Sequence, residues 1–433
     1  MKRIISTVLA SAFCCWGTWQ AAKIGFARTL DDYAIKQPRD IPTDAVLALA
    51  GVSDPKSAVD RAVTLLPADA ETQAARAEVL QQLDEYAQAR DEFQRAAQLR
   101  PRDYYLWMLL GVTSDQSGDQ EGALRALRQA VALAPSYARP RWQLGNVLLR
   151  MGQLDQAFVE LRQAALSNPS LWPNVDDLAW GIYGPDARKV TEMIRPETDS
   201  SHMALALLFA HHNQGAAGID QFRATGLRSD KATEKLVEEL FKAKLFSDAY
   251  EVWANRSVVP AAVTLLPFDH TGIRDGSFEG VLTGGKFGWQ FMRDVVNVTM
   301  SIDEGTYQSG ARSLRIDFRG NSDPALALVT QIILVKPQTR YHLRLFALSK
   351  EFVSAGDPVI SLADAADPKN VVLAQSPPLR SDPNVWREFA IDFTTRAETQ
   401  AILITLARQA CANNPCPAFG AIWLDSFSIE ATK

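Results

Sequence analysis

The chain has 433 residues, 47% of them hydrophobic and 22% charged, and a formal net charge of −5. That length exceeds one ordinary core and predicts two domains. No basic field is present to attract nucleic acid, and no block of like charge marks a disordered tail, so the composition excludes both of those classes.

Met1-Lys2-Arg3 precedes nineteen uncharged residues, Ile4 to Ala22. A helix of about 20 apolar residues crosses a bilayer, and Lys2 and Arg3 favour a cytoplasmic amino end. The stretch predicts a membrane anchor or signal segment over residues 1–30. The remainder would then be exported and face the periplasm from the inner membrane. A cleaved signal peptide is the alternative, giving a secreted or surface protein. Ala10-Ser11-Ala12 has the small-x-small pattern, but cleavage there leaves an apolar region of only six residues, and Phe13 before Cys14 opposes a lipoprotein site. Cys14 and Cys15 lie inside the apolar segment. The other two cysteines, Cys411 and Cys416, close the loop CANNPC. In an oxidising compartment this pair predicts a local disulfide, whereas zinc would need two further ligands.

From residue 31 the pattern is helical and periodic. Pro67, Pro101, Pro135 and Pro169 are each 34 residues apart. The same spacing relates Leu110 to Leu144, Gly111 to Gly145 and Gly118 to Gly152. It also relates Ala89, Ala123 and Ala157, and again Ala62, Ala96, Ala130 and Ala164, while Phe93, Leu127 and Leu161 fill one large apolar slot. Trp107, Leu110 and Gly111 open one unit, and Ala123, Leu127, Ala130 and Pro135 close it. The next unit repeats this from Leu144 to Pro169, with Arg141 in place of the aromatic. This pattern resembles the tetratricopeptide repeat (TPR), which implies stacked helical hairpins that hold a protein or peptide partner in a groove. Small residues let paired helices approach, large apolar ones fill between them, and proline ends each pair. Pro67 closes only half a repeat.

Past Pro169 the period decays, although HMALALLFAHHNQG and KATEKLVEELFKAKLFSDAYEVWANR still read as helices. The α-solenoid is therefore expected over 31–256. His211 and His212 are adjacent on a helix, where neighbours diverge by about 100°, so a surface helix end is expected of them rather than a shared metal.

A proline-bearing linker is expected at 257–270, after which the period changes from 3.6 to 2. SLRIDF, ALVTQIILV, YHLRLFAL, VWREFAIDFTT, QAILITLARQ and AIWLDSFSIE read as short strands of an antiparallel β-sandwich over 271–433. Their order behind IRDGSFEGVLTGGKFGW resembles the jelly-roll carbohydrate-binding modules of the family 4/9 type, within the galactose-binding-like group. The resemblance implies a structural calcium held through Glu279 and Asp425. A hard cation needs six to eight oxygens, so the alternative is that both carboxylates accept hydrogen bonds where the ends of the sandwich meet. Glycan binding would use exposed aromatic rings, for which Trp289, Phe291 and Tyr341 are the candidates. Trp386 and Trp423 read as core-facing from their spacing.

No nucleophile elbow, zincin helix, phosphate loop or dinucleotide fingerprint is present, and no enzyme is expected. The modules together predict a non-catalytic, membrane-anchored scaffold, suited to machinery for cell-surface polysaccharide assembly or export. A secreted lectin-like protein and a self-assembling surface filament are the alternatives.

Overall fold

The computed structural model describes residues 2–36, 54–226, 230–254, 272–280, 286–369, 371–380, 385–412 and 415–432. The linker expected at 257–270 lies outside them, as do the side chains of Cys14 and Cys15. The chain divides into two compact units, Met1–Pro196 and Glu197–Lys433.

The first unit is built from helices α1 (Lys2–Lys36), α2 (Pro55–Leu65), α3 (Ala70–Gln82), α4 (Tyr86–Leu99), α5 (Tyr104–Gln116), α6 (Gln120–Leu133), α7 (Ala138–Arg150) and α8 (Leu154–Ser167). Aspartates start several of them. Asp69 accepts from Thr72 N, Asp103 from Tyr105 N and Asp119 from Gly122 N, satisfying amides that a helix start leaves unpaired.

The 34-residue period is a period of contacts. A methyl group on Gly111 would sit 2.5 Å from Leu127 Cγ and 3.2 Å from the Ala123 carbonyl oxygen. On Gly145 it would sit 2.6 Å from Leu161 Cγ and 3.3 Å from the Ala157 oxygen. The missing side chain thus lets α5 lie close against α6, and α7 against α8. The hairpin turns repeat too, with left-handed backbone at Asp84 (φ 60°), Gly118 (φ 87°) and Gly152 (φ 74°). Asp84 carries the strain that glycine avoids in the other two. Asp84→Gly is expected to raise stability by about 0.5–1 kcal/mol, seen as a higher urea midpoint at unchanged slope.

Arg141 in the aromatic slot also has a structural explanation. Gln73 Nε2 donates to Pro67 O at 2.8 Å, Trp107 Nε1 to Pro101 O at 3.0 Å, and Arg141 Nε to Pro135 O at 2.9 Å. What repeats at this slot is a donor that ties each hairpin to the carbonyl of the proline before it. Val175 breaks the series within α9 (Trp172–Tyr183), and the short α10 (Ala187–Ile194) ends the unit.

The half repeat closed by Pro67 is completed from the amino terminus. Ala27, Leu30 and Ala34 of α1 pack with Ala58, Val59 and Ala62 of α2 and with Ala75 and Val79 of α3. Among the described residues no helix is long and apolar enough to cross a membrane, so the expected span at Ile4–Ala22 is not found. Ser6, Thr7, Ser11, Thr18 and Gln20 dilute its apolar content, and α1 runs on into the hairpin core.

Among the described residues the second unit starts with the helices α11 (Asp199–His211), α12 (Gly215–Ala224), α13 (Asp230–Lys242) and α14 (Phe246–Ala254). Their period assigns them to the solenoid, but Leu236, Leu240, Tyr250 and Trp253 cluster with Phe287, Leu334 and Ala401 of the following region. The Arg274 guanidinium lies 4.4 Å from the Trp253 ring centre and 4.9 Å from that of Tyr250, whose hydroxyl it also contacts. His211 is the last residue of α11, with His212 directly after it.

Ten strands follow among the described residues: β1 (Gln290–Phe291), β2 (Val298–Asp303), β3 (Ser313–Asn321), β4 (Val329–Leu334), β5 (Arg340–Ser354), β6 (Pro358–Asp364), β7 (Val372–Gln375), β8 (Arg387–Thr394), β9 (Ala401–Arg408) and β10 (Pro417–Thr432). They form two five-stranded antiparallel sheets, ordered β1-β4-β9-β6-β7 and β2-β3-β10-β5-β8. Alternate residues of both, including Ile333, Ile360 and Ile404 from the first and Ile316, Leu345 and Ile422 from the second, meet in one core cluster.

Candidate binding groove on the second sheet

The second sheet turns one set of alternate residues into that core and the other set outward. Ile422 and Leu424 of β10 point inward, which sends Trp423 to the opposite face. There it lies between Arg315 of β3 and Leu348 of β5 in the strand register. Leu348, Ala421 and Trp423 form a small outer cluster, with Trp386 packed against it. These residues floor a groove of about 760 Å³, walled by Tyr307, Asp317, Lys350 and Glu351 among others. That volume lies in the range of small-molecule sites.

Trp423 is 4% exposed and serves as floor. The Arg315 guanidinium lies 5.1 Å above its ring and is held by Asp317 at 2.7 and 2.9 Å. Trp423 Nε1 donates to Asp303 Oδ2 at 2.6 Å. Burial pushes the Asp303 carboxyl up, but the Trp423 and Gly305 donors and nearby Arg315 outweigh it and hold the group below its usual range. An ionised Asp303 is in the wrong state to protonate a glycosidic oxygen. The accessible rings are the half-buried Trp386 and Tyr307, which is 46% exposed.

A bulge shapes one wall. Phe419 pairs with Val353 and Ala421 with Lys350, leaving Glu351 and Phe352 opposite Gly420 alone. Glu351 adopts φ 51° and Gly420 φ 96°, and a methyl group on Gly420 would lie 2.2 Å from the Glu351 carbonyl oxygen. Successive strand residues normally face opposite ways. The bulge instead brings both Lys350 and Glu351 to the groove. Strained backbone of this kind is associated with functional sites.

The three aromatics expected to bind glycan are elsewhere. Trp289 is 5% exposed, stacked on Phe278 at 5.2 Å and edge-on to Phe427 at 5.0 Å, with Nε1 donating to Asp275 O at 2.9 Å. The glycine-rich stretch before it thus leads a tryptophan into the core instead of presenting it. Tyr341 is buried against Phe393, its hydroxyl accepting from Lys336 N at 2.8 Å. Phe291 is half-buried against the same core. Conversely, Trp386 and Trp423, expected in the core, line the groove. The signal was present: Ile422 and Leu424 flank Trp423, and period 2 puts it on the other face.

Glu279 and Asp425 act together, but through hydrogen bonds. Asp425 is fully buried and accepts from Gln308 N at 2.7 Å and Ser309 N at 3.1 Å. Glu279 accepts from Ala311 N at 2.7 Å and Arg312 N at 3.0 Å. Both carboxylates therefore clamp the loop between β2 and β3. Among the described residues no three His, Cys, Asp or Glu side chains gather to hold a metal ion. Cys411 and Cys416 are disulfide-bonded, with Cα atoms 5.7 Å apart.

A family model described as "TPR repeat" matches residues 116–152, which run from the end of α5 through α7. The chain is also similar to two proteins named peroxisomal targeting signal receptor. The one from Kluyveromyces lactis is 31% identical over 81 residues, covering 19% of this chain and 14% of that protein. The one from Candida glabrata is 32% identical over 81 residues, with the same coverage of 19% and 14%. The chain thus spans about one-seventh of the length of the curated relatives it matches. Similar solved structures include MamA, at TM-score 0.30 and 14% identity over 54% of this chain and 98% of that one. Pseudomonas aeruginosa pilF gives TM-score 0.31 and 20% identity over 45% of this chain and 90% of its own. YrrB, titled a TPR protein with an unusual peptide-binding site, gives 0.26 and 15% identity over 49% and 87%.

Proposed function

We propose that the chain is a non-catalytic scaffold, exported and facing the periplasm. Its helical hairpins hold a protein or peptide partner, and its two sheets, a jelly-roll sandwich of carbohydrate-binding-module type, contact a glycan. Machinery for assembling or exporting a cell-surface polysaccharide would use both modules. The similar proteins named as targeting signal receptors favour a peptide as the hairpins' partner. The Cys411–Cys416 disulfide is in keeping with an exported chain.

The observation that carries the glycan reading is the groove over Trp423. Rings at Trp386 and Tyr307 suit the apolar face of a pyranose, while Asp317, Lys350 and Glu351 suit its hydroxyls. The test is binding of the full chain to a panel of bacterial polysaccharides. Trp386→Ala and Tyr307→Ala are each expected to weaken binding about tenfold, the loss of one ring contact. Trp289→Ala is expected to lower stability instead, because it hollows the core. The reading is sunk if the folded chain binds no glycan, or if the Trp386→Ala, Tyr307→Ala double variant binds unchanged.

A further inference from the structure

We propose that a cavity framed by α1, α3 and α5 takes the cationic side chain of a lysine- or arginine-bearing peptide. The proposal rests on the scaffold reading of the hairpins and specifies the chemistry of what they hold. The cavity measures about 320 Å³ and is formed by the first helices of three successive hairpins.

Its charges leave a deficit of cations. Arg28 is paired with Asp69 at 2.9 Å and Glu71 at 2.6 Å, and Arg100 with Glu71 at 2.8 Å. Asp103 is occupied in capping α5. Three further carboxylates line it, Asp31, Asp32 and Glu78. Asp31 is 5% exposed, and its Oδ2 accepts from Thr72 Oγ1 at 3.1 Å with Arg28 Nη1 at 3.7 Å. Its Oδ1 is buried with no hydrogen-bond partner. Glu78 lines the same cavity and makes no ion pair among the described residues.

A buried carboxylate oxygen without a donor is costly, and an incoming ammonium or guanidinium removes that cost. Burial pushes the Asp31 carboxyl up to about 6, against the lowering effect of Thr72 and Arg28, and burial also raises that of Glu78. Ile35, Leu106 and Leu109 provide apolar wall for the methylene stem of such a side chain. A bare metal ion fits less well, since it would need six or more oxygens and leave those apolar walls unused.

The test immobilises the full chain and offers it two libraries of blocked four-residue peptides. They share randomised flanking positions and differ only in lysine against norleucine at the second residue. Lysine peptides are expected to be enriched about tenfold, and Asp31→Asn and Glu78→Gln are each expected to abolish the enrichment. Melting curves establish that both variants fold; Glu78→Gln carries the test if Asp31→Asn does not. Equal retention of both libraries, retention of neither, or a lysine preference that survives in both folded variants overturns the proposal. Crosslinking of the hairpins to a protein partner in cells reports separately on the scaffold reading. Crosslinks without lysine enrichment would keep that reading and remove the cationic site.

Discussion

Replacing Gly111 with valine is expected to lower the stability of the first unit by about 2–3 kcal/mol, the scale of forced overpacking. The sign is informative because helix propensity points the other way. Glycine is the poorer helix former by several tenths of a kcal/mol, so at an open helical position the substitution would stabilise. At Gly111 the added atoms meet Leu127 Cγ and the Ala123 carbonyl, and the carbonyl can retreat only if α5 and α6 separate. Gly145→Val should behave alike against Leu161 and Ala157. Chemical unfolding followed separately in each unit provides the check. The helical transition should move to lower denaturant, and that of Glu197–Lys433 should stay in place. A midpoint that rises in both variants would mean that these helices are not in close approach.

Asp176→Asn is expected to stabilise the first unit by at least ~2 kcal/mol at neutral pH, the scale of an uncompensated buried polar group that also carries charge. Asp176 lies on α9, fully buried, and neither carboxyl oxygen has a hydrogen-bond partner. One helical turn earlier Trp172 Nε1 is also buried without a partner. Burial, with a smaller contribution from the charge of Asp177, raises the Asp176 carboxyl well above its usual range. The folded state therefore favours the protonated acid, whereas the unfolded chain ionises it near pH 4. Its contribution is fully present below that pH and is lost as pH rises towards the folded-state value, by about 1.4 kcal/mol per pH unit. Wild type should lose stability along that slope above about pH 4 relative to Asp176→Asn, with the two curves converging in acid. Parallel curves across the range would show that Asp176 does not take up a proton on folding.

Much of the first unit was legible because a repeat writes its contacts locally. Gly111 meets Leu127 only sixteen positions away, and the same pair recurs at Gly145 and Leu161, so spacing alone exposes the hairpin. The slot shared by Gln73, Trp107 and Arg141 was not legible. Three unlike side chains share only an N–H donor, and its acceptor is a backbone carbonyl that leaves no mark on residue type. The completion of the first half repeat was hidden too, since the apolar residues of α1 that pack there follow directly on a stretch that reads as a membrane segment.

In the second unit the sequence determined the strands and their alternation by residue type, because a half-buried strand must alternate. Alternation says which residues share a face, but where both faces carry aromatics it does not say which one meets the core. Tertiary structure decided that, burying Trp289 under Phe278 and Phe427 while exposing the side of the sheet that holds Trp386 and Trp423. It also decided that α11–α14 pack with the sheets, since an amphipathic helix specifies an apolar face and not its partner. By itself the sequence determined what neighbours along the chain impose: the repeat, the hairpin turns and the alternation of strands. Only the tertiary structure decided the groove and the cavity, because each is assembled from side chains that distant segments bring together.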